Sequence, residues 1–294
     1  MFVLALLLSS DFLGRPAWAL GEPGISVPVY ALDHLCRDAR FPALAGEWAV
    51  GCGASGLVDR AVHLPTGTVI ELPLPAARPG IAPGFVYIPG PGGALFRLTA
   101  SAPVRVADDA GLVRGALIAP PAIDGVHVAV ATRDHVYVAT PDATSWPSWG
   151  ADLQGWDGVA LAWPWVAWVD DALRVVAVDA EVRSAPVVWS TEGTRARHVV
   201  SDGDRFAWVE DGALVLIRPG TGERERIDTR TGFHAPPTLS GDRVCYEERV
   251  PAGGVQVRCN DGTVVGSATW PSLSGDRLLY RKGDDPWLLV LAPS

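Results

Sequence analysis

Cysteine is the residue type in this sequence whose spacing predicts a defined chemistry. The four cysteines fall into two pairs that are local in sequence: Cys36 with Cys52, and Cys245 with Cys259. Cys245 and Cys259 flank a turn at Pro251 to Gly254, so a hairpin would place them opposite each other, close enough for a disulfide. We expect both pairs to be bridged. Two buried free thiols are the alternative, and a metal site is disfavoured because no CxxC or HxxxH spacing is present.

Histidine and aspartate offer no arrangement typical of an active site. His198 and His234 occupy similar places in successive repeats, where they could face a central channel and hold a metal; hydrogen bonding to neighbouring backbone is the favoured alternative. The run Asp202-Gly203-Asp204 begins like a calcium loop, but Phe206 stands where an oxygen ligand is needed. GxSxG, HExxH and Walker motifs are absent from the sequence, so we predict no catalytic residue, metal or cofactor.

Tryptophan is concentrated in the middle of the chain, where six of the twelve lie within 23 residues. Trp163 and Trp165 alternate along a predicted strand and share a face, which is typical of packing. Trp146, Trp149 and Trp156 lie instead in the polar connection SWPSWGADLQGWDG, where exposed rings could stack on sugar rings or on a peptide. They are the candidate ligand-binding residues. The alternative is a loop that folds over and covers a sheet edge.

Composition indicates an all-β protein that does not bind nucleic acid. Of 294 residues, 48% are hydrophobic, enough for a sizeable core, and the net charge of −9 has the wrong sign for binding phosphates or an anionic membrane. The 32 glycines and 25 prolines interrupt helices and suit short strands joined by turns.

The N-terminus resembles a secretory signal. An apolar run from Phe2 to Leu8 precedes Ala17-Trp18-Ala19, a small-x-small cleavage pattern, although no basic residue precedes the run. A buried first strand is the alternative. We expect residues 1–19 to be a signal peptide and residues 20–294 a single soluble domain in the periplasm or outside the cell, because no later segment has the apolar length of a membrane-spanning helix.

A repeat of about 38 residues predicts the architecture. HAPPTLSGDRVCYEERV recurs as ATWPSLSGDRLLYRKG and, more weakly, five times upstream, with turns at residues 46, 84, 125, 164, 203, 241 and 275. Each copy reads as four short strands, which is the unit of a β-propeller blade. We therefore predict a β-propeller of seven four-stranded blades. Six is the competing number, because the copies at Gly84 and Pro164 depart most from the pattern.

Ring closure makes a specific demand on the two chain ends. The last repeat ends at Ser294 with one strand missing, and a spare strand, Ser26 to Leu32, precedes the first repeat. We predict that the N-terminal strand closes the last blade and removes an exposed sheet edge.

The repeat cores PTLSGDRVCY and PSLSGDRLLY, each followed by an apolar strand such as GVQVRC or WLLVLAP, resemble the TolB-like, WD40-like propeller repeats of bacterial envelope proteins. The resemblance implies a β-propeller in the envelope that serves as a binding platform. The expected function is that of a non-enzymatic, monomeric interaction module with a protein, peptide or glycan partner. The alternative is an enzyme, a lyase or hydrolase, with its site built from loops on one propeller face.

Overall fold

A computed structural model describes residues 121–292, except residues 141, 142, 144, 154–157, 230–234, 252 and 284. Before residue 121 it describes nine strands and the side chains of only a few of their residues. The first strand, β1 (Ser26–Pro28), is separate in sequence from the sheet to which it belongs.

The described strands form seven antiparallel sheets of four strands each, which we number as blades 1 to 7. Blade 1 consists of β2 (Ala43–Ala45), β3 (Trp48–Cys52), β4 (Val58–His63) and β5 (Thr68–Ala76). Blade 2 consists of β6 (Gly80–Ala82), β7 (Phe85–Pro89), β8 (Leu95–Leu98) and β9 (Pro103–Ala107). Blade 3 consists of β10 (Ala122–Ile123), β11 (Val128–Ala131), β12 (His135–Ala139) and β13 (Ser148–Gly150).

The second half of the chain supplies the other four blades. Blade 4 consists of β14 (Val159–Ala162), β15 (Trp165–Val169), β16 (Val175–Asp179) and β17 (Val187–Val188). Blade 5 consists of β18 (Ala196–Ser201), β19 (Phe206–Glu210), β20 (Ala213–Arg218) and β21 (Glu223–Ile227). Blade 6 consists of β22 (Thr238–Ser240), β23 (Arg243–Arg249), β24 (Val255–Cys259) and β25 (Val264–Gly266). Blade 7 consists of β26 (Ala268–Ser274), β27 (Arg277–Lys282), β28 (Asp285–Val290) and β1.

The sheets are arranged as a closed ring. The first strand of each blade contacts the first strand of the next, from β2 through β6, β10, β14, β18 and β22 to β26, and β26 contacts β2 again. Each of the seven turn positions predicted from the repeats falls between the first and second strands of a blade. The predicted β-propeller is therefore confirmed, with seven blades rather than six.

The N-terminal strand completes the last blade, as predicted. β1 pairs antiparallel with β28, with Ser26 opposite Leu289 and Pro28 opposite Trp287. Pro28 fits this position because an outermost strand needs hydrogen-bond donors on one side only. The ring is thus joined by non-covalent pairing of the two ends of the chain.

Among the described residues, apolar side chains of neighbouring blades pack against each other between the sheets. In blade 4, Trp168 is buried in a cluster shared with blade 3, whereas Trp165 packs against a cluster shared with blade 5. The two rings point opposite ways because successive side chains of a strand alternate between faces. Leu44 of blade 1 packs with Leu279 and Leu288 of blade 7, so the closing junction is apolar as well.

Aspartate and arginine side chains at the turns between first and second strands have a structural role in blades 5 and 6. In blade 5, Asp202 accepts hydrogen bonds from the backbone N–H groups of Asp204 and Arg205, which fixes the turn. The Arg205 guanidinium donates to the carbonyl of Gly241 in blade 6. At the equivalent place, Arg243 of blade 6 donates to the carbonyl of Ala292, after blade 7, at 2.7 Å. These two arginines tie blade 5 to blade 6, and blade 6 to the end of blade 7.

One of the two predicted disulfides lies within the described residues and is present. Cys245 and Cys259 are directly opposite in the β23–β24 hairpin and are bonded, with a Cα–Cα distance of 4.1 Å. That short distance is typical of a non-hydrogen-bonded antiparallel pair. The side chains of Cys36 and Cys52 lie outside the described residues, so the other bridge stays a prediction.

Candidate binding surface

The two ends of the blades differ in which turns they carry. The connections between first and second strands and between third and fourth strands lie at one end, which we call the turn face, because neighbouring strands alternate in direction. The hairpins between second and third strands, and the links to the next blade, lie at the opposite face. The predicted ligand-binding connection, Ser145 to Asp157, begins between the third and fourth strands of blade 3 and therefore starts on the turn face.

An aromatic stack joins blades 3 and 4 on the turn face. Trp163 lies in the turn before β15, and its ring is parallel to the imidazole of His127, with centroids 3.8 Å apart and an interplanar angle of 9°. His127 ends the corresponding turn of blade 3. The tryptophan side chain remains 38% exposed, so a large ring is held in place while one part of it meets solvent.

The local sequence of blade 3 explains how His127 is positioned. The Asp124 carboxylate accepts hydrogen bonds from the backbone N–H groups of Val126 at 2.9 Å and His127 at 2.7 Å, an arrangement typical of an aspartate-stabilised turn. The second carboxylate oxygen lies 3.2 Å from His127 Nδ1. The imidazole is therefore fixed by Asp124 at its edge and by Trp163 at its face.

Two exposed valines lie on the same face as the stack. Val126 is 62% exposed in the blade 3 turn, and Val182 is 71% exposed in the connection between β16 and β17. That connection is held against the Trp163 turn, because the N–H of Ala180 donates to the carbonyl of Pro164 at 2.8 Å. We call Val126, Trp163 and Val182 the turn-face patch.

Exposed large hydrophobic side chains are concentrated in blades 3 and 4. Within the described part of the chain six such residues occur: Val126, Trp163, Val182, Val187, Val188 and Val264. All but Val264 belong to these two blades. The outer strand of blade 5, by contrast, exposes the charged run Glu223 to Arg226. Among blades 3 to 7, whose side chains are described, exposed large hydrophobic residues are thus concentrated in two neighbours.

Two of the three tryptophans considered as ligand-binding residues lie within the described residues, and both are at least partly buried. Trp146 is only 8% exposed, and within the described residues its Nε1 has no hydrogen-bond partner. Trp149 is half-buried in β13 and packs against the cluster between blades 3 and 4. The burial of Trp146 agrees with the alternative of a folded-over connection, and the residues that follow it pair with β12. Trp156 lies outside the described residues, and ligand binding by the three stays a prediction.

Trp163 was missed as a surface residue because alternation with Trp165 assigned it to a strand. The structure ends β14 at Ala162 and places Trp163 and Pro164 in the turn. The Trp-Pro dipeptide carried the signal, since a residue before proline is restricted and often begins a turn. The repeat alignment also placed a turn at Pro164, next to Trp163.

The histidines considered as channel ligands form no metal site in the described residues. His198 is buried in β18, and His234 lies outside the described part of the chain. Within the described ranges, no three His, Cys, Asp or Glu side chains come together in a way that could hold a metal ion.

The carboxylates with shifted acidity are paired with arginine. Burial alone would raise the pKa of Asp261, but hydrogen bonds from Thr263 and the nearby Arg243 guanidinium hold the pKa below its ordinary value. Glu210 behaves in the same way in blade 5. A general acid working near neutral pH needs a raised carboxyl pKa instead, so these two groups are better described as structural charges.

Comparison with known proteins bears on the fold. The sequence matches no known protein family and no curated protein, and no helix in the described residues has the length and apolar character needed to cross a membrane. A structure of BamB from Moraxella catarrhalis is 16% identical, covering 84% of this chain and 81% of that one, with a TM-score of 0.49.

A structure of the mitotic checkpoint complex is similar to this chain over most of its length. It is 12% identical, covers 92% of each chain and has a TM-score of 0.63. At this identity the similarity concerns the fold alone, and it agrees with the ring of seven four-stranded sheets. The chain is a seven-bladed β-propeller.

Proposed function

We propose that this protein is a binding module that engages a protein or peptide partner through the turn-face patch of blades 3 and 4. The observation that carries the proposal is the partly exposed ring of Trp163, stacked on His127, on the same face as two exposed valines. Single exposed hydrophobic residues are ordinary, but a cluster on one part of a surface is typical of an interaction site.

The stack on His127 favours Trp163 as an anchor for a partner. Tryptophan is enriched among the residues that dominate binding energy at protein interfaces. Stacking restricts the ring before binding, so less conformational entropy is lost when a partner covers it.

The charges around the patch favour a partner segment that is neutral and apolar. Glu181 and Arg183 are both exposed and flank Val182 with opposite charges. A strongly anionic or cationic ligand would therefore be attracted by one and repelled by the other. An apolar peptide segment, with a side chain covering the Trp163 ring, fits this surface best.

A phage-displayed random peptide library, panned on the immobilised protein, supplies the probe for a direct test. Affinities of the selected peptides are then measured by fluorescence anisotropy for the wild type and for Trp163→Ala. We expect the variant to bind at least about tenfold more weakly, which corresponds to about 1.4 kcal/mol.

Two exposed valines provide a matched pair of variants for the same peptides. Val126→Ser, on the patch, should weaken binding, while Val264→Ser, on blade 6, should leave it within about twofold. Equal affinities for wild type, Trp163→Ala and Val126→Ser would contradict the proposal. If the protein bound glycans on an array but bound no peptide, the proposal would also be contradicted, and the carbohydrate alternative would be favoured.

We also propose that the protein works in the periplasm or outside the cell, as a TolB-like member of the bacterial envelope propellers. The Cys245–Cys259 bridge supports an oxidising compartment, because cytosolic thiols are kept reduced. The repeat cores PTLSGDRVCY and PSLSGDRLLY support the resemblance. Expression in a bacterium followed by N-terminal sequencing tests the location: a periplasmic protein beginning at Leu20 is expected, and a cytosolic protein retaining Met1 would contradict it.

A further inference from the structure

A cavity at the opposite face, between blades 6 and 7, is lined by both a buried carboxylate and a guanidinium group. It has a volume of about 390 Å³ and is lined by the end of β23, the start of β26 and the end of β27. Its walls include Glu247, Ser267, Thr269, Trp270 and Arg281. This volume lies within the range of small-molecule sites, in which a few polar groups converge in an otherwise apolar pocket.

The acid is fixed in position by the backbone of the next blade. Glu247 is 2% exposed, and its Oε1 accepts the N–H of Trp270 at 2.9 Å. Trp270 has a φ of 52°, in the left-handed region that a bulky residue rarely adopts, and it lies in a bulge of the β26–β27 pairing. The carboxylate is thus hydrogen-bonded to a backbone position of positive φ at the wall of the cavity.

The bulge by itself is a feature of the repeat, and the acid is what distinguishes blade 7. His198 occupies the equivalent place in β18, with a φ of 59° and the same type of bulge. The preceding blade there places Val169 in its core, whereas blade 6 places the buried carboxylate of Glu247 beside the blade 7 bulge. Backbone positions in sparsely populated conformations cluster at functional sites, which makes the pairing of this one with a buried carboxylate a candidate site.

The positively charged group of the same cavity belongs to Arg281. Arg281 Nε donates to the carbonyl of Gly283 at 2.7 Å, which orients the guanidinium. A planar guanidinium held in this way is suited to bidentate binding of a carboxylate. Among its described lining residues, the cavity therefore presents one negatively and one positively charged group.

We propose that this cavity binds a small zwitterion, a free α-amino acid, whose ammonium group pairs with Glu247 and whose carboxylate pairs with Arg281. The hydroxyls of Ser267 and Thr269 supply further hydrogen bonds. Val255 and Trp270 line the apolar part of the wall and contact the amino acid side chain. A ligand with a single charge meets repulsion from one of the two groups, so both charges are required.

This site is independent of the turn-face patch. It lies at the other end of the blades and in blades 6 and 7 instead of blades 3 and 4. The proposal for the turn-face patch and the proposal for this cavity can therefore be tested separately, since Trp163→Ala leaves this cavity intact.

The test uses the whole protein and a panel of the twenty free amino acids, with thermal shift as the first readout. At least one amino acid should raise the melting temperature at millimolar concentration, and calorimetry then gives its Kd. Its N-acetyl and its C-amide forms each lack one charge and should bind at least about tenfold more weakly.

Two carboxylates next to each other on β23 give the decisive variants. Glu247→Gln keeps a hydrogen-bond acceptor for the N–H of Trp270 but loses the charge, and should weaken binding at least about tenfold. Glu248→Gln changes a carboxylate that instead accepts hydrogen bonds from Gln256 and Arg258, and should leave the Kd within about twofold.

Arg281→Gln, on the rim, gives a second reading should Glu247→Gln fail to fold, and it should also weaken binding at least about tenfold. Absence of any thermal shift from the panel would overturn the proposal. An unchanged Kd in Glu247→Gln, or in Arg281→Gln where that variant is the one measured, would overturn it as well.

Discussion

At the scale of single residues, Glu210 illustrates how this fold accommodates a charged side chain that is shielded from solvent. Its side chain has no exposed surface, yet it accepts a hydrogen bond from Trp208 Nε1 at 2.9 Å. Arg224 and Arg226, on the outer strand of the same blade, approach it at 3.4 and 3.2 Å. Burial would raise the pKa of Glu210, but hydrogen bonds from Thr191 and Trp208 and the charge of Arg224 outweigh it and lower the pKa.

Replacing this buried charge should destabilise blade 5. Glu210→Gln loses the ionic part of several hydrogen bonds, and hydrogen bonds to charged groups contribute about 1.5 to 3 kcal/mol each. We expect the free energy of unfolding in urea at pH 7 to fall by about that amount. Glu223→Gln, an exposed carboxylate of the same blade paired with Arg218, serves as the control and should change it by less than about 0.5 kcal/mol.

The lowered pKa of Glu210 also predicts a dependence of stability on pH. Because the folded-state pKa lies below the ordinary value of 4.5, the ionised carboxylate stabilises the fold above that pH. The contribution is lost as the pH falls through the folded-state pKa. The difference in unfolding free energy between the wild type and Glu210→Gln should thus be full at pH 7 and shrink below pH 4.5. A difference that grows on acidification would contradict this assignment.

The burial of Trp146 leads to a further residue-scale prediction. Trp146→Ala should lower the free energy of unfolding by about 3 to 5 kcal/mol, the usual cost of emptying a large buried site. Trp163→Ala, at the exposed stack, should cost less than about 1 kcal/mol. Denaturant unfolding of the two variants measures both, and equal costs would show that the two rings are equally buried.

Burial at single positions is what the sequence predicted least well. Trp146 and Trp163 both precede a proline; spacing left Trp146 open between an exposed and a folded-over ring and assigned Trp163 to packing, whereas the structure buries Trp146 and exposes part of Trp163. Whether a ring meets solvent depends on which strand the connection pairs with, and that pairing is set by residues far away in the chain. The carboxylate of Glu247 and the guanidinium of Arg281 come together for the same reason, across two blades, and sequence spacing carries no signal for it.

At the scale of strands and turns the sequence was far more informative. The Ser-Gly-Asp-Arg cores of blades 6 and 7 mark the turn between first and second strands, because glycine there adopts a φ of 57° at Gly241 and 59° at Gly275. A glycine of positive φ also occupies this turn in blades 3 and 5, at Gly125 and Gly203. The hairpin of Cys245 and Cys259 was predictable on the same basis, since its register follows from the turn at its tip.

The disulfide within this hairpin should stabilise the protein measurably. It closes a loop of 14 residues, for which the chain-entropy estimate is about 3 kcal/mol. The double variant Cys245→Ala, Cys259→Ala should therefore unfold at lower urea concentration than the wild type under oxidising conditions. When both proteins are unfolded and refolded under strongly reducing conditions, they should unfold at similar urea concentrations, because neither then contains the disulfide. A double variant as stable as the oxidised wild type would contradict a stabilising bridge.

At the scale of the whole molecule, seven blades form one ring because the two ends of the chain share blade 7. The period of the repeat and the missing last strand were enough to predict this closure, since an incomplete blade would leave an open sheet edge. The inter-blade hydrogen bonds of Arg205 and Arg243 could not be predicted, because their acceptors are backbone carbonyls of the next blade.

Removing the closing strand should weaken the entire ring. A chain that begins at residue 34 lacks β1 and its pairing with β28, and should melt at least about 5 °C below a chain that begins at residue 20. Thermal unfolding followed by circular dichroism measures the difference. An unchanged melting temperature would mean that the pairing of Ser26 to Pro28 with β28 does not hold the ring closed.

Hydroxyl-radical footprinting tests most directly the claim that this propeller binds a partner through the turn face of blades 3 and 4. Oxidation of side chains is measured by mass spectrometry in the free protein and in its complex with a peptide selected from the phage library. We predict that oxidation of Trp163 falls severalfold in the complex, with protection extending to Val126 and Val182, while Val264 on blade 6 is oxidised as before. Unchanged oxidation of Trp163 in a saturated complex, with protection confined to other blades or to the opposite face, would contradict the claim.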